Sequence, residues 1–290
     1  MAVTLEHDPG QPEAGAPREA RAPVTGSAVS RAARPKRSPI LVELAVIACL
    51  VWIYDWLQNL APLRRELALR HAVQLLSMEQ RLHIAPEEHL DHWLLGHPLL
   101  AEVASNFYDN AIFFVTLGLV VWIWWRSPDL YRPLRNYLVL ANLIGFSVFW
   151  AYPLAPPRML AGFADVVEKY PGLGGWHNEL LTHADQLAAM PSMHLAWGVW
   201  SSLAIWQLWG RSGGRTWARL LVIGIAVLYP LVTAWDVMAT GNHYLLDVLA
   251  GVATTAISVA AVQAASPLLS RWRVRWPPPR SRVQPEHHHW

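Results

Sequence analysis

Six apolar runs, near residues 40–57, 108–125, 134–152, 193–209, 217–235 and 244–266, constrain this chain more than any other feature. Each approaches the ~20 residues that a helix needs to cross a bilayer. In lipid, every backbone N–H and C=O must be paired inside the protein, so runs of this length read as transmembrane helices. Composition agrees with that reading. Only 15% of the residues are charged and 53% are hydrophobic, against ~25% charged in a soluble domain. The 17 tryptophans are of a type that concentrates at membrane interfaces, and Trp122, Trp124 and Trp125 read as such a belt. The expected fold is therefore all-α: a polytopic membrane protein of about six transmembrane helices with interfacial amphipathic helices. Pro230 lies inside the fifth run and is expected to kink or interrupt it.

Around these runs the chain divides into three parts. Residues 1–37, rich in Ala, Pro, Gly, Glu and Arg, read as a disordered tail. Residues 38–268 read as a transmembrane catalytic domain, and residues 269–290 as a basic, proline-rich tail. The first run lies too far from the start for an ordinary secretory signal, and no small-x-small site follows, so it reads as a retained anchor. In residues 62–83, Leu67, His71, Leu75, Met78 and Leu82 fall near helical spacing. That pattern predicts an amphipathic helix at the interface. A polar stretch with His83, His89, Asp91, His92 and His97 follows. Cys49, the single cysteine, can form no internal disulfide and reads as a small buried hydrophobe.

Charge orients the bundle. With six spans both termini share one side, together with the 126–135 and 210–219 loops. Seventeen of the 23 Lys and Arg residues fall on that side. The other side holds Arg64, Arg65, Arg70, Arg81, Arg158 and Lys169. The positive-inside rule then places both termini in the cytoplasm, with the plasma membrane as the expected location.

This topology brings the end of span three, the start of span four, the end of span five and the start of span six to the extracytoplasmic face. The unusual polar residues sit there: Tyr152 to Arg158, Met190 to His194, and Thr240 to Asp247. His243 and Asp247 are four apart, so a helix places them on one face. A carboxylate beside an imidazole fixes its tautomer and favours its charged form. The other ring nitrogen can then act as a nucleophile, with Asp247 stabilising the charge that builds on the ring. Ser192 is positioned as the N-cap of the helix that carries His194, and a helix N-terminus suits a phosphate. Arg158 can clamp phosphate oxygens in a bidentate contact. Nucleophile, orienter, second acid/base and anion clamp fit phosphoryl or phosphodiester transfer without an obligatory metal. Taken singly, each has a plainer reading: an interfacial histidine, a structural ion pair, a headgroup anchor. All four on one face at membrane depth favour function.

At these residues the chain resembles the type-2 phosphatidic acid phosphatase superfamily, and within it the branch related to inositol phosphorylceramide synthases. The matching pieces are PPRM at 156–159, AMPSMH at 189–194 and GNHYLLDVLAG at 241–251. The resemblance implies that His243 forms a phospho-enzyme, Asp247 assists it, and His194 protonates the leaving oxygen. Arg158 and Ser192 match phosphate-binding positions, and the family works without an essential metal. Two departures matter. A lysine of the phosphatase branch is replaced by Ala151, and its Ser-Arg pair by Asp236 and Val237. Fewer cations neutralise a dianionic monoester poorly, whereas a monoanionic diester needs less positive charge. The expected activity is transfer of a phospho-headgroup between a lipid-linked donor and an acceptor. A lipid phosphate phosphatase and a non-catalytic lipid-binding or transport protein are the alternatives.

Weaker signals complete the reading. Tyr152, Asn106, Tyr108, Asn110, Asn242 and Tyr244 are candidate substrate contacts. Asp109 lies among them at the entry to span two. The spacing of His89, His92 and His97 makes a poor metal pattern, and no metal or other cofactor is expected. Trp176, His177, His183 and Asp185 lie in a 160–188 loop that could cover the site; His287–His289 receive no role. Expected partners are a phospholipid or polyprenyl-phosphate substrate and the bilayer, with no nucleic acid.

Overall fold

The structure, a computed structural model, describes residues 37–170, 187–209 and 216–271. All of them belong to one compact unit, Pro35–Trp290. Residues 1–36 and 272–290 of the tails expected at 1–37 and 269–290, and the loop residues Trp176, His177, His183 and Asp185, lie outside the described residues.

The described residues form helices and irregular connections, with one isolated parallel bridge between Leu154 and Ala188. Five helices are long and apolar enough to cross a membrane: α1 (Ile40–Leu60), α4 (Pro98–Arg126), α5 (Pro128–Ala151), α8 (Thr216–Ala239) and α9 (Leu245–Arg271). The fourth expected span is α7 (Met193–Trp209), whose 17 described residues make about 25 Å of helix. Helix α7 is the centre of the bundle. It packs against α4, α5, α8 and α9 and buries Leu195, Ala196, Gly198, Trp200, Ser201 and Ala204. Trp200 Nε1 donates to the Leu134 carbonyl at 2.8 Å, which satisfies the indole inside the bundle. Three shorter helices, α2 (Arg65–Arg81), α3 (Glu87–Leu95) and α6 (Val166–Lys169), complete the described set.

Several boundaries differ from the sequence expectation for identifiable reasons. Helix α4 starts ten residues before its apolar run, because Pro98 suits a first helical position and no breaker follows. Helix α5 likewise starts at Pro128. Helix α8 runs through Pro230 without interruption. Gly198 of α7 lies against that turn, where an added Cβ would sit 3.9 Å from Pro230 Cα. Cys49 is exposed on α1 rather than buried, in keeping with a helix that turns Leu41, Val51 and Trp52 outward.

The largest correction concerns residues 62–97. Helix α2 exists as expected, but its buried face is Ala68, Ala72, Leu75 and Glu79. Of the predicted stripe only Leu75 is buried, while Met78 and Leu82 are exposed. The small Ala68 lets a loop approach the helix backbone, and Ala155 N–H donates to the Ala68 carbonyl at 3.3 Å. The polar stretch after α2 is not a simple loop. It contains α3, which buries Glu87, Asp91 and Leu94 and leaves His83, His89, His92 and His97 exposed. The helical period is present in α3, but carboxylates occupy it.

Helix α9 lies close against the start of α7 at Gly251. A Cβ there would collide with the Ser192 carbonyl and lie 3.0 Å from Leu195 Cβ. Gly251→Leu should therefore force the two helices apart and lower stability by about 1–3 kcal/mol. Thermal unfolding in detergent measures this; an unchanged midpoint would show that the contact is not tight.

Candidate active site

The site is assembled by backbone hydrogen bonds between three sequence-distant segments. The first is Tyr152–Arg158, ending in the short 3-10 turn Pro157–Met159. Leu154 N–H donates to the Leu187 carbonyl (3.0 Å), and Ala189 N–H returns to the Leu154 carbonyl (3.1 Å). This pair joins the first segment to the second, Leu187–His194. Arg158 N–H donates to the Gly241 carbonyl (2.8 Å), joining it to the third, Thr240–Asp247. Ser192 N–H donates to the Asp247 carbonyl (2.9 Å) and closes the ring.

Gly241 is required at its position. Its φ is +69°, and a Cβ would lie 3.0 Å from the Ala164 carbonyl oxygen and 3.4 Å from Arg158 Cβ. The turn it makes sets His243 inside the protein, just before α9.

Within this ring the predicted residues come together. His243 is buried, and its Nδ1 lies 2.9 Å from the Ala189 carbonyl oxygen and 3.1 Å from Asp247 Oδ2. Both partners are acceptors, so Nδ1 carries the hydrogen and the lone pair falls on Nε2. Asp247 is fully buried. The His194 ring lies edge to face with His243, with centroids 5.8 Å apart. On its other side it stacks on Tyr108 at 4.4 Å. Ser192 is buried and accepts the Leu195 N–H at 3.4 Å, the expected N-cap bond. Its own hydroxyl hydrogen remains available as a donor.

Arg158 is held on two sides. Its Nη1 donates to Asn242 Oδ1, and its Nε lies 3.3 Å from Asp165 Oδ2. Asn242 in turn donates to Thr240 Oγ1 at 2.8 Å. The guanidinium thus has a fixed orientation, and a carboxylate already offsets part of its charge.

The remaining candidates have other surroundings. Tyr152 stacks on His71 at 4.2 Å, and His71 Nδ1 bonds the Pro153 carbonyl. Burial pushes the Tyr152 phenol above its ordinary range. Tyr244 is fully buried and donates to the Ala155 carbonyl. Tyr244 and Asn242 are thus built into the framework. Asn106 and Asn110 donate to carbonyls one turn back on α4.

Sequence reasoning missed a layer of acids under the site. Glu79 Oε1 accepts Leu246 N–H at 2.7 Å, and Glu87 Oε1 accepts Leu245 N–H at 2.5 Å. Asp91 Oδ2 accepts Ala164 N–H at 3.1 Å and so fixes the loop that carries Asp165. All three acids are fully buried. Burial raises Asp91 and Glu87 above the usual carboxylate range and pushes Glu79 up to about 9. The available signal was the i, i+4 pair Glu87 and Asp91, and the place of Glu79 four residues after Leu75.

Asn242→Ala should remove a buried, charge-assisted hydrogen bond worth about 1.5–3 kcal/mol. The expected result is a lower unfolding midpoint in detergent. No change would mean that Asn242 does not restrain Arg158.

No curated protein and no solved structure matches the chain. Residues 73–261, which contain α3 to α8, most of α9 and every site residue named above except His71, match the PAP2 superfamily. This match covers more than half of the chain, and the protein belongs to the PAP2 superfamily, whose members are generally phosphatases and phosphotransferases.

Proposed function

We propose that the protein is a membrane-embedded lipid phosphotransferase or phosphodiester-cleaving enzyme with His243 as nucleophile. The observation that carries this reading is the pairing of His243 Nδ1 with Asp247 and the Ala189 carbonyl. That pairing leaves Nε2 as the nucleophilic atom of a ring that lies beside His194. The substrate phosphate is held by Arg158, the Ser192 hydroxyl and the N-terminus of α7. His243 Nε2 forms a bond to phosphorus as the bond to the leaving oxygen breaks, and His194 gives that oxygen its proton. Asp247 stabilises the positive ring. An acceptor hydroxyl then transfers its proton to His194 and attacks phosphorus, and the N–P bond breaks. Nucleophile, acid and anion clamp all come from the chain's own residues, so the mechanism calls for no metal.

The charge distribution supports a diester donor, in keeping with the resemblance to the inositol phosphorylceramide synthase-like branch. Ala151, Asp236 and Val237 supply no cation, and Asp165 shares the charge of Arg158. A dianionic monoester in this setting lacks counter-charge, whereas a monoanionic diester is matched. The substrate is a phospholipid or polyprenyl-phosphate derivative, and the site faces the extracytoplasmic side of the plasma membrane. In this reading residues 38–268 are the catalytic domain, flanked by cytoplasmic tails.

The test is turnover by purified protein in detergent with EDTA, against labelled phospholipids and polyprenyl phosphates. Headgroup transfer to an added alcohol, with radiolabel trapped on His243, is expected. His243→Ala should lose several orders of magnitude of activity, as nucleophile deletions do. Free phosphate as the main product would instead assign a lipid phosphatase. Full turnover in His243→Ala would exclude the mechanism, and lipid binding without turnover would favour a binding or transport protein.

A further inference from the structure

Helix α9 begins inside the protein, where its first N–H groups have no intrahelical acceptor. Tyr244, Asp247 and Val248 are all buried around this start. The preceding residue is Tyr244, whose side chain bonds the Ala155 carbonyl instead. The acceptors come from far away in sequence: Glu87 Oε1 for Leu245 and Glu79 Oε1 for Leu246. A protein helix usually takes its cap from the adjacent residue. Here two carboxyl groups from α2 and α3 do that work, beside the helix that carries Asp247.

The second oxygen of each carboxyl explains why there are two. Glu79 Oε2 and Glu87 Oε2 are buried and have no hydrogen-bond partner among the described residues. The two carboxyls accept from adjacent N–H groups at one helix start and so lie side by side, and a hydrogen held between these second oxygens would give each a partner. No described Lys, Arg or His forms an ion pair with either acid. The titratable groups around the pair are themselves acidic. Asp247 and Tyr244 face it from α9 and its approach, Asp91 lies one turn along α3, and Tyr152 stands behind Tyr244. Two full negative charges in this place would repel each other and Asp247. A single shared charge meets the positive end of the α9 dipole instead.

We propose that Glu79 and Glu87 act as one proton-sharing unit that positions α9, and with it His243 and Asp247, and that loss of the shared proton disengages the site. Both are positioning residues, and the proposal rests on the reading of His243 as nucleophile. When the proton leaves, the carboxylates separate and the Leu245 and Leu246 N–H groups lose their acceptors. The start of α9 then shifts, the His243–Asp247 pair loses its alignment, and turnover falls without any change in the groups that touch substrate.

The sign of the effect on stability follows from burial. Glu79 is held protonated up to about pH 9 in the folded protein but ionises near its ordinary value when unfolded. Its contribution is complete below the ordinary carboxyl range and declines as pH rises through about 9. The wild-type unfolding midpoint in detergent should therefore fall across that window.

Glu79→Ala and Glu79→Gln separate positioning from simple packing. The alanine variant leaves Leu246 N–H without its acceptor and should lower kcat on the order of 10²-fold, with a much smaller change in KM. The glutamine variant restores both bonds, because its carbonyl accepts Leu246 N–H and its amide donates to Glu87 with no titratable proton. It should rescue kcat at neutral pH, move the alkaline limb of the pH profile upward, and flatten the decline of the unfolding midpoint with pH. Identical alkaline limbs and midpoint slopes in wild type and Glu79→Gln would overturn the proposal, as would equal activity of the two variants. The midpoint arm needs no turnover. If His243→Ala is fully active while Glu79→Gln still flattens the midpoint slope, the nucleophile assignment fails and the proton-sharing pair stands.

Discussion

The start of α9 must be both buried and hydrogen-bonded, and the rest of the site depends on how that conflict is resolved. Apolar surroundings give free N–H groups no water. The protein supplies Glu79 and Glu87 from α2 and α3, so these two short helices must lie directly under the bundle. Once α9 is held, the Asp247 carbonyl can take the Ser192 N–H and set the start of α7. The same turn presents the Gly241 carbonyl to Arg158. His243, His194 and Arg158 are therefore carried on segments fixed to one another through backbone bonds, and their side chains need only short reaches. Such pre-organisation is what transfer chemistry demands of a protein.

Acids outnumber cations in this arrangement, and the structure handles them in two ways. Buried acids that form no ion pair among the described residues, such as Glu79 and Asp91, are held toward their neutral form by desolvation. Asp165, at the more open edge, instead pairs with Arg158. The first group therefore acts through hydrogen bonds and the second through charge. The site presents a well-oriented guanidinium whose field is already moderated, and the proposed preference for a weakly charged phosphorus centre rests on that.

The spans were legible because long apolar runs have one solution in lipid. The candidate site was legible because the spacing of His243 and Asp247 pairs their side chains, although His243 precedes α9 rather than lying on it, and because Arg158, Ser192 and His194 fall at ends of neighbouring spans. The supporting acids were hidden for a physical reason. Hydrophobic periodicity assigns a face by looking for apolar residues, whereas α2 buries two alanines and a glutamate and α3 buries a glutamate and an aspartate. A carboxylate that caps a distant helix looks, in sequence, like one that faces water. Tyr108 shows the complementary case. Its position at the entry to span two was visible, but only the packing of α4 on α7 puts its ring on His194.

Helix α1 follows a different logic from the rest of the bundle. It lies outside the segment that matches the family, and little of its surface is buried inside the protein. Part of its attachment is polar: Glu43 accepts from Tyr131 at 2.8 Å and pairs with Arg135 at 2.9 Å, both on α5. A charged pair within a membrane segment must be well satisfied to persist, and here two side chains meet at one carboxylate. Above them, Trp124 Nε1 donates to the Ser38 carbonyl, and Arg37 lies over the Trp124 ring. These contacts lie at the end of the bundle marked by the short α4–α5 connection, whereas the site lies where α5 ends and α9 begins. Helix α1 is therefore held along α5, with Tyr54 on Phe146 and Trp56 on Trp150 toward its other end, and the proposed chemistry uses elements that the family match reaches.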